Sequence, residues 1–198
     1  MAMEGTGEGL KPLATLSCAR GLRVDDLAWC EGSGEAFAAV AASRLGGNTW
    51  DGSLLIVDGS SRAVIASHPV RCGQGSISGT GSEGVFVAGE DSGAVKVYKV
   101  NRDPPVSVEA VTAFQGHEDV VSAVDACRGV EGVYASGSWD RSVRVWAGDQ
   151  PGHADCFTGH ASRVTGVRWP PRDSKGDVLA SSCADGVLRL WDRRVARR

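Results

Sequence analysis

The stretch from Gly116 to Trp146 constrains the fold of this chain more than any other part of the sequence. It begins with a Gly-His pair, contains three apolar runs separated by turns that carry Gly or Asp, and closes on Trp146. No helix-period pattern stands out, and the 27 glycines of the 198-residue chain suit many short strands joined by tight turns. The stretch therefore predicts a small antiparallel sheet.

Related stretches recur along the chain. Each closes on an apolar residue at an equivalent position, at Val57, Tyr98, Trp146 and Trp191. Their spacing is close to the roughly 40 to 45 residues of a WD-repeat blade. Period-two alternation recurs at a fixed offset from the turn in the pairs Leu54 and Ile56, Val95 and Val97, Val143 and Val145, and Leu188 and Leu190. We predict an all-β WD-repeat β-propeller with four blades, at approximately 26–58, 72–100, 114–147 and 157–192.

The organisation around these repeats predicts an incomplete ring. Residues 1–12 are predicted to be a disordered tail before a propeller domain at 13–198, and residues 13–19 could form a lone strand. Too few residues follow Asp192 for a fourth strand in the last blade, and closed rings have about 4 to 8 blades. We expect an open or partial propeller, with a four-bladed ring closed by residues 13–19 as the alternative. An open arc would expose apolar blade faces, so the chain should be marginally stable or oligomeric.

In the WD-repeat family that these stretches resemble, a loop His bonds a buried Asp, and a strand Ser or Thr joins this pair to the indole of the closing Trp. The resemblance implies two such relays. They are His117, Ser136, Asp140 and Trp146 in the third repeat, and His160, Ser181, Asp185 and Trp191 in the fourth. Both Asp side chains should be buried and bonded to the His of their own repeat, because an unpaired buried carboxylate is costly. The second repeat, with Asp91 out of register, should lack this network and depend on packing.

Composition argues against several classes of function. The net charge of -3 disfavours nucleic acid or an anionic membrane as an electrostatic partner. Six cysteines without metal-binding spacing predict neither zinc nor a disulfide scaffold, so we interpret them as small core residues and expect no metal or cofactor. No signal peptide or apolar run of about 20 residues is visible, which predicts a cytoplasmic and nuclear protein.

The sequence offers little for an enzyme. His117 and Asp140 could act as a general-base pair, but a second identical constellation is what a repeat scaffold produces. Residues 79–84 match G-x-G-x-x-G, yet a strand rather than a helix follows them, so we predict a connecting loop. His68 and His153 are predicted to be solvated in loops. We expect a non-catalytic protein-interaction scaffold.

Two sites could bind partners. Trp50 and Asp51 are predicted in a turn of the first repeat, which has lost the relay, so Trp50 is either a core filler or an exposed contact aromatic. The segment Trp191-Asp192-Arg193-Arg194 fits the W-D-x-R pattern of substrate receptors of cullin-type ubiquitin ligases. This pattern gives an alternative function, with Trp191, Asp192 and Arg194 as the contact residues. Another WD-repeat adaptor function remains open.

A more specific resemblance covers approximately residues 26–194. The segments that carry it are GNTWDGSLLIVD at 47–58, VAGEDSGAVKVYKVNRD at 87–103, GHEDVVSAV at 116–124, SGSWDRSVRVW at 136–146 and GHASRVTGV at 159–167. They resemble the methylosome WD-repeat proteins, which are partners of the type II protein arginine methyltransferase. The resemblance implies docking on that enzyme, presentation of histone tails or spliceosomal Sm proteins, and an interface Trp at Trp50.

Overall fold

Fifteen strands and one short helix make up the described fold. The computed structural model describes residues 22–31, 36–46, 49–148, 153–171 and 175–196, which form four antiparallel sheets that we call blades 1 to 4 in chain order. Blade 1 contains β1 (Arg23–Cys30), β2 (Phe37–Gly46), β3 (Thr49–Asp58) and β4 (Val64–Val70). Blade 2 contains β5 (Gln74–Gly79), β6 (Val85–Glu90), β7 (Val95–Asn101) and β8 (Ser107–Phe114). Blade 3 contains β9 (Val121–Ala126), β10 (Val133–Ser138), β11 (Val143–Ala147) and β12 (His153–Phe157). Blade 4 contains β13 (Val164–Arg168), β14 (Val178–Cys183) and β15 (Leu188–Asp192), and α1 (Arg193–Ala196) follows it.

Within every blade the strands are hydrogen bonded in chain order, so each blade is a simple meander. The first strands of successive blades lie side by side, β1 next to β5, β5 next to β9 and β9 next to β13. This is the arrangement of a WD-type β-propeller, and the all-β prediction is confirmed. Among the described residues no helix has the length and apolarity that crossing a bilayer needs.

The apolar core is divided among the three spaces between blades. Ala39, Leu54 and Ile56 of blade 1 pack with Phe86 and other residues of blade 2. The corresponding face of blade 2 packs on blade 3, and that of blade 3 packs on blade 4. Blades 1, 2 and 3 thus turn the alternate residues of their third strands toward the next blade, as the period-two pattern predicts.

The closing aromatic residue of a blade packs against the preceding blade. Trp146 stacks on Phe114 of β8 with ring centroids 5.4 Å apart, and Trp191 lies 5.3 Å from Phe157 of β12. Phe157 therefore belongs to the sheet of blade 3, although the predicted fourth repeat starts at that residue. A sequence repeat and a blade are offset because the outermost strand of each blade precedes the His-containing loop of the next.

The described blades form an open arc, as predicted. Val143 and Val145 of blade 3 are fully buried under blade 4, whereas the equivalent Leu188 and Leu190 of blade 4 are 66% and 71% exposed. Blade 4 has three strands, and α1 occupies the place where a fourth would start. At the other end of the arc, Trp29 of β1 is exposed as well. The predicted tail at 1–12 and the strand at 13–19 lie outside the described residues.

Two sequence interpretations of local structure were wrong. Trp50 and Asp51 do not lie in a turn, because β2 and β3 continue pairing beyond the usual blade length as far as the pair Gly46 and Thr49. His68 and His153 lie in β4 and β12 rather than in loops. His68 is half-buried, with its ring edge toward Tyr98 at 5.9 Å.

Candidate functional site

Blade 3 contains a continuous chain of side-chain hydrogen bonds. His117 lies in the loop before β9, with Nδ1 2.8 Å from the Asp140 carboxylate and Nε2 2.7 Å from Ser136 Oγ. Trp146 Nε1 donates to the same Ser136 Oγ at 2.8 Å. Because a carboxylate only accepts and an indole N–H only donates, the consistent assignment has Nδ1 donating to Asp140 and Ser136 donating to Nε2. The chain ties the loop, the central strand and the third strand of one blade together.

Asp140 is the anchor of this chain. Burial by itself would raise its pKa, but hydrogen bonds from the hydroxyl and backbone amide of Ser142 and from His117 outweigh burial and lower the pKa to about 2. The backbone amide of Glu118 also donates to the carboxylate. Each of these donors would be left without its acceptor if the carboxylate were removed.

Blade 4 has a related but different network. His160 Nε2 lies 2.6 Å from Ser181 Oγ, and Trp191 Nε1 donates to that hydroxyl oxygen at 2.7 Å. On the other side of the ring, Nδ1 lies 2.8 Å from the Arg189 guanidinium. Since guanidinium only donates, Nδ1 must accept here, which reverses the tautomer relative to His117. Burial and the Arg189 charge lower the pKa of His160.

The prediction for Asp185 was therefore wrong about its partner. Its side chain is 18% exposed, and its carboxylate accepts from the backbone amides of Val187 and Ala161 rather than from His160. The physical reason is competition, because Arg189 occupies the ring nitrogen that the carboxylate would need.

Blade 2 does not depend on packing alone, contrary to the sequence prediction. Glu90 is buried and lies 2.8 Å from the Lys96 ammonium group. The hydroxyl of Tyr98 and the side-chain amide of Gln74 both donate to Glu90 Oε1 at 3.4 Å. Burial would raise the pKa of Glu90, but the hydrogen bond and charge of Lys96 hold it below its usual value. The blade thus has a polar cluster built from other residues than the relay.

The thiols do not all lie in the core. Cys30, Cys127 and Cys183 are buried, whereas Cys156 on β12 is exposed, so the core interpretation is wrong for that residue. In the described part of the chain, one group of potential metal ligands combines His160, Cys183 and Asp185. Both ring nitrogens of His160 already have partners, and the adjacent Arg189 cation disfavours a metal ion.

The predicted partner-binding residues fall at two separate places. Trp50 is 41% exposed on the extended hairpin of β2 and β3, opposite the exposed Leu45. Asp51 is also exposed there and lies 3.8 Å from the Arg44 guanidinium. The hairpin thus presents an apolar pair flanked by charges.

The W-D-x-R segment lies at the end of blade 4. Trp191 is partly buried and engaged with Ser181, and Arg193 is buried in an ion pair with Asp155 at 2.6 Å. Only Asp192 and Arg194 face outward, bonded to each other at 2.6 Å. The structure therefore does not bring the three predicted contact side chains together on one exposed surface.

Other polar contacts between elements carried no recognisable sequence signal. Asp26 of β1 accepts hydrogen bonds from Ser76 and from the backbone amide of Ile77 in blade 2. Asp125 of β9 accepts from Ser78 of blade 2 and from the backbone amide of Trp169 beyond β13. These carboxylates link neighbouring blades, and nothing in a single repeat marks them.

A cavity of about 540 Å³ lies where the loop ends of blades 1, 2 and 3 meet. Its lining includes Trp50, Trp139, Asp25 and Gln74. Trp139 lies in the turn beside Asp140, and a large aromatic residue next to a structural Asp in a turn is a usable sequence signal. The cavity brings Trp50 and Trp139 to one concave surface.

Comparison with known proteins supports the repeat assignment. The family model described as "WD domain, G-beta repeat" matches residues 108–147 and 153–192. The methylosome protein WDR77 of Xenopus laevis is 29% identical over 161 residues, which cover 78% of this chain and 46% of the frog protein. A probable cytosolic iron-sulfur protein assembly protein 1 of Neurospora crassa is 35% identical over 42% of this chain and 22% of that protein. The chain thus spans less than half the length of either relative.

Solved structures agree on the fold. The computationally designed Ika4 protein superposes with a TM-score of 0.68 at 17% identity, covering 93% of this chain and 99% of that chain. A chain of the mitotic checkpoint complex also gives a TM-score of 0.68, at 21% identity, and covers 90% of this chain and 52% of that chain. At these identities the likeness concerns the fold alone.

Proposed function

We propose that this chain, two stretches of which match the WD-repeat family model and which is similar to the frog methylosome protein, is a non-catalytic scaffold of a protein arginine methyltransferase complex. The proposed partner is a type II protein arginine methyltransferase, and the scaffold helps to present histone tails or Sm proteins to it. The similarity to the frog methylosome protein extends over most of this chain, which supports this partner above those of shorter matches.

The observation that carries the proposal is the exposed Trp50 on the extended hairpin. Large aromatic side chains are enriched among the residues that dominate the binding energy of protein interfaces. Trp50 and Leu45 face solvent on a hairpin that is longer than the equivalent hairpins of the other blades. The extension places Leu45 and Trp50 beyond the usual length of a blade, where a partner can contact them, and this supports the proposal.

The proposal is tested by measuring binding of the purified methyltransferase to the folded chain. We expect Trp50→Ala to weaken the complex by about 2 kcal/mol or more if the side chain is a hot spot. Val111→Ala is the control, because Val111 is an exposed apolar side chain on β8, away from the hairpin. The proposal would be contradicted if a folded wild-type chain, with a normal circular dichroism spectrum, formed no complex. Equal losses of affinity in both variants would also contradict it.

A further inference from the structure

Two residues that line the cavity between blades 1, 2 and 3 each have a buried acceptor oxygen without a donor in the described part of the chain. Asp25 Oδ2 and Gln74 Oε1 are both buried and have no partner among the described residues. The side chain of Asp25 is 9% exposed and Gln74 is 2% exposed. Buried acceptors without donors are rare, since each costs free energy unless a ligand or water satisfies it.

The orientation of the Gln74 amide is fixed by its surroundings. Its Nε2 donates to Glu90 Oε1 and to the sulfur of Cys72. Turning the amide over would place its oxygen against the Glu90 carboxylate, so the nitrogen must remain on that side. The acceptor oxygen is therefore the end that lacks a partner.

Aromatic rings complete the cavity. Trp50 and Trp139 both line it, and they are 41% and 44% exposed. The Trp139 ring already lies 5.2 Å from the guanidinium of Arg163, which shows that this indole accepts a cation–π contact. The charged lining residues are Asp25, Asp91 and Arg23, so the carboxylates outnumber the cations.

From these features we propose that the cavity binds an arginine side chain of a protein partner. A guanidinium supplies the several N–H donors that Asp25 Oδ2 and Gln74 Oε1 need, and its planar face stacks on an indole. A lysine ammonium is more strongly hydrated and cannot stack in this way, so it should bind less well. The volume of the cavity falls within the usual range for ligand pockets, about 300 to 1,000 Å³.

Asp25 and Asp91, which line the cavity, already make contacts within the chain. Arg23 pairs with Oδ1 of Asp25 at 2.8 Å and is itself largely exposed. Asp91 Oδ2 accepts from the backbone amide of Gly73. Neither of these contacts uses Oδ2 of Asp25, so neither has to break when this oxygen gains a donor.

This inference goes beyond the scaffold function, because it requires no methyltransferase. The test titrates the full chain with a blocked Gly-Gly-Arg-Gly-Gly peptide by isothermal calorimetry, and follows the Trp indole N–H signals by NMR. The controls are the same peptide with lysine or with citrulline, which keeps the shape of arginine but has no charge. We expect saturable binding of the arginine peptide, weaker binding of the lysine peptide, and no measurable binding of the citrulline peptide.

Two variants locate the site. Asp25→Asn keeps the shape but removes the charge, and it should weaken binding at least about tenfold. Asp103→Asn, at an exposed carboxylate outside the cavity, should leave the affinity unchanged. Trp139→Ala should also weaken binding, and because Trp139 is half-exposed this variant serves if Asp25→Asn does not fold.

Three results would overturn the proposal. They are absence of saturable binding, equal binding of arginine and citrulline peptides, and equal affinities of the Asp25→Asn and Asp103→Asn variants. Because the methyltransferase is absent from this experiment, failure here leaves the scaffold proposal standing, and the reverse also holds.

Discussion

At the scale of single residues, the two relay carboxylates differ in what depends on them. Asp140 accepts from Ser142, His117 and Glu118, whereas Asp185 accepts from backbone amides at an exposed turn. Sequence could not separate the two, because both repeats have Asp and His at the same positions and an Arg two residues before the closing Trp. What differs is that Arg189 reaches the His160 ring, and only coordinates reveal that contact.

We expect Asp140→Asn to lower the free energy of unfolding by about 1 to 3 kcal/mol, because an amide cannot replace a carboxylate for all of these donors. Asp185→Asn should cost clearly less, since this carboxylate accepts no hydrogen bond from the His ring of its own repeat. Urea unfolding of both variants at pH 7 measures the difference. Equal losses would show that the His117 network does not stabilise blade 3.

The contribution of Asp140 to stability should depend on pH in a defined way. The pKa of Asp140 is lowered to about 2 in the folded chain, compared with about 3.9 in an unfolded chain. The unfolded state therefore binds the proton more readily, and the stabilisation by Asp140 is complete above about pH 4 and is lost as the pH falls toward 2. The deficit of Asp140→Asn relative to the wild type should shrink over that interval. A deficit that stays constant down to pH 2 would contradict the assignment.

At the scale of strands and sheets, glycine marks the closest contacts between blades. Gly137 on β10 faces blade 4, and a Cβ at this position would lie 2.4 Å from Val164 Cγ1. Gly89 on β6 has the equivalent relation to Val121 of blade 3, at 2.5 Å. In blade 4 the equivalent position is Ser182, and no further blade among the described residues packs on that side of the sheet. The sequence shows Gly at these positions, but it does not show that the reason is a neighbouring blade rather than a turn.

Gly137→Ala should therefore destabilise the chain by about 1 to 3 kcal/mol through overpacking. Ser182→Ala is the matched control, and it should have little effect because no blade packs on that position. Thermal unfolding followed by circular dichroism compares the two variants. If Gly137→Ala is as stable as the control, blades 3 and 4 are not packed as closely as the structure indicates.

The sequence predicted strands well where burial imposes a pattern on them, and poorly where it does not. Alternation fixed the third strand of every blade, because burial on one face imposes a period of two. It did not reveal the extension of the hairpin around Trp50, since pairing beyond the core leaves no pattern of burial. The Glu90 cluster was missed because its buried carboxylate is bonded by Lys96, Tyr98 and Gln74, which are residue types that the relay does not use.

At the scale of the whole molecule, the arc presents two unlike faces that are suited to each other. In blade 3, the face that contains Val143 and Val145 packs on the following blade, and the equivalent faces of blades 1 and 2 do the same. The equivalent face of blade 4, with Leu188 and Leu190, is exposed. At the other end of the arc, the face of blade 1 that points away from blade 2 exposes Leu27 and Trp29. Two such faces on separate copies form a heterologous interface, which closes into a ring or extends into a filament.

We therefore expect the chain to self-associate, with blade 4 of one copy packed on blade 1 of another. Sedimentation velocity should show a mass that increases with concentration in the wild type. The double variant Leu188→Ser and Leu190→Ser should remain monomeric, and so should Trp29→Ser, because each removes one half of the same interface. Val111→Ser, an exposed valine on β8, is the control and should associate like the wild type.

Mixing separates this arrangement from non-specific association. The double variant retains an intact blade 1 face, and Trp29→Ser retains an intact blade 4 face. A mixture of the two monomeric variants should therefore form dimers through one interface and nothing larger. Dimers that fail to appear in the mixture, or a wild type that stays monomeric at every concentration, would show that the end faces do not pack on each other.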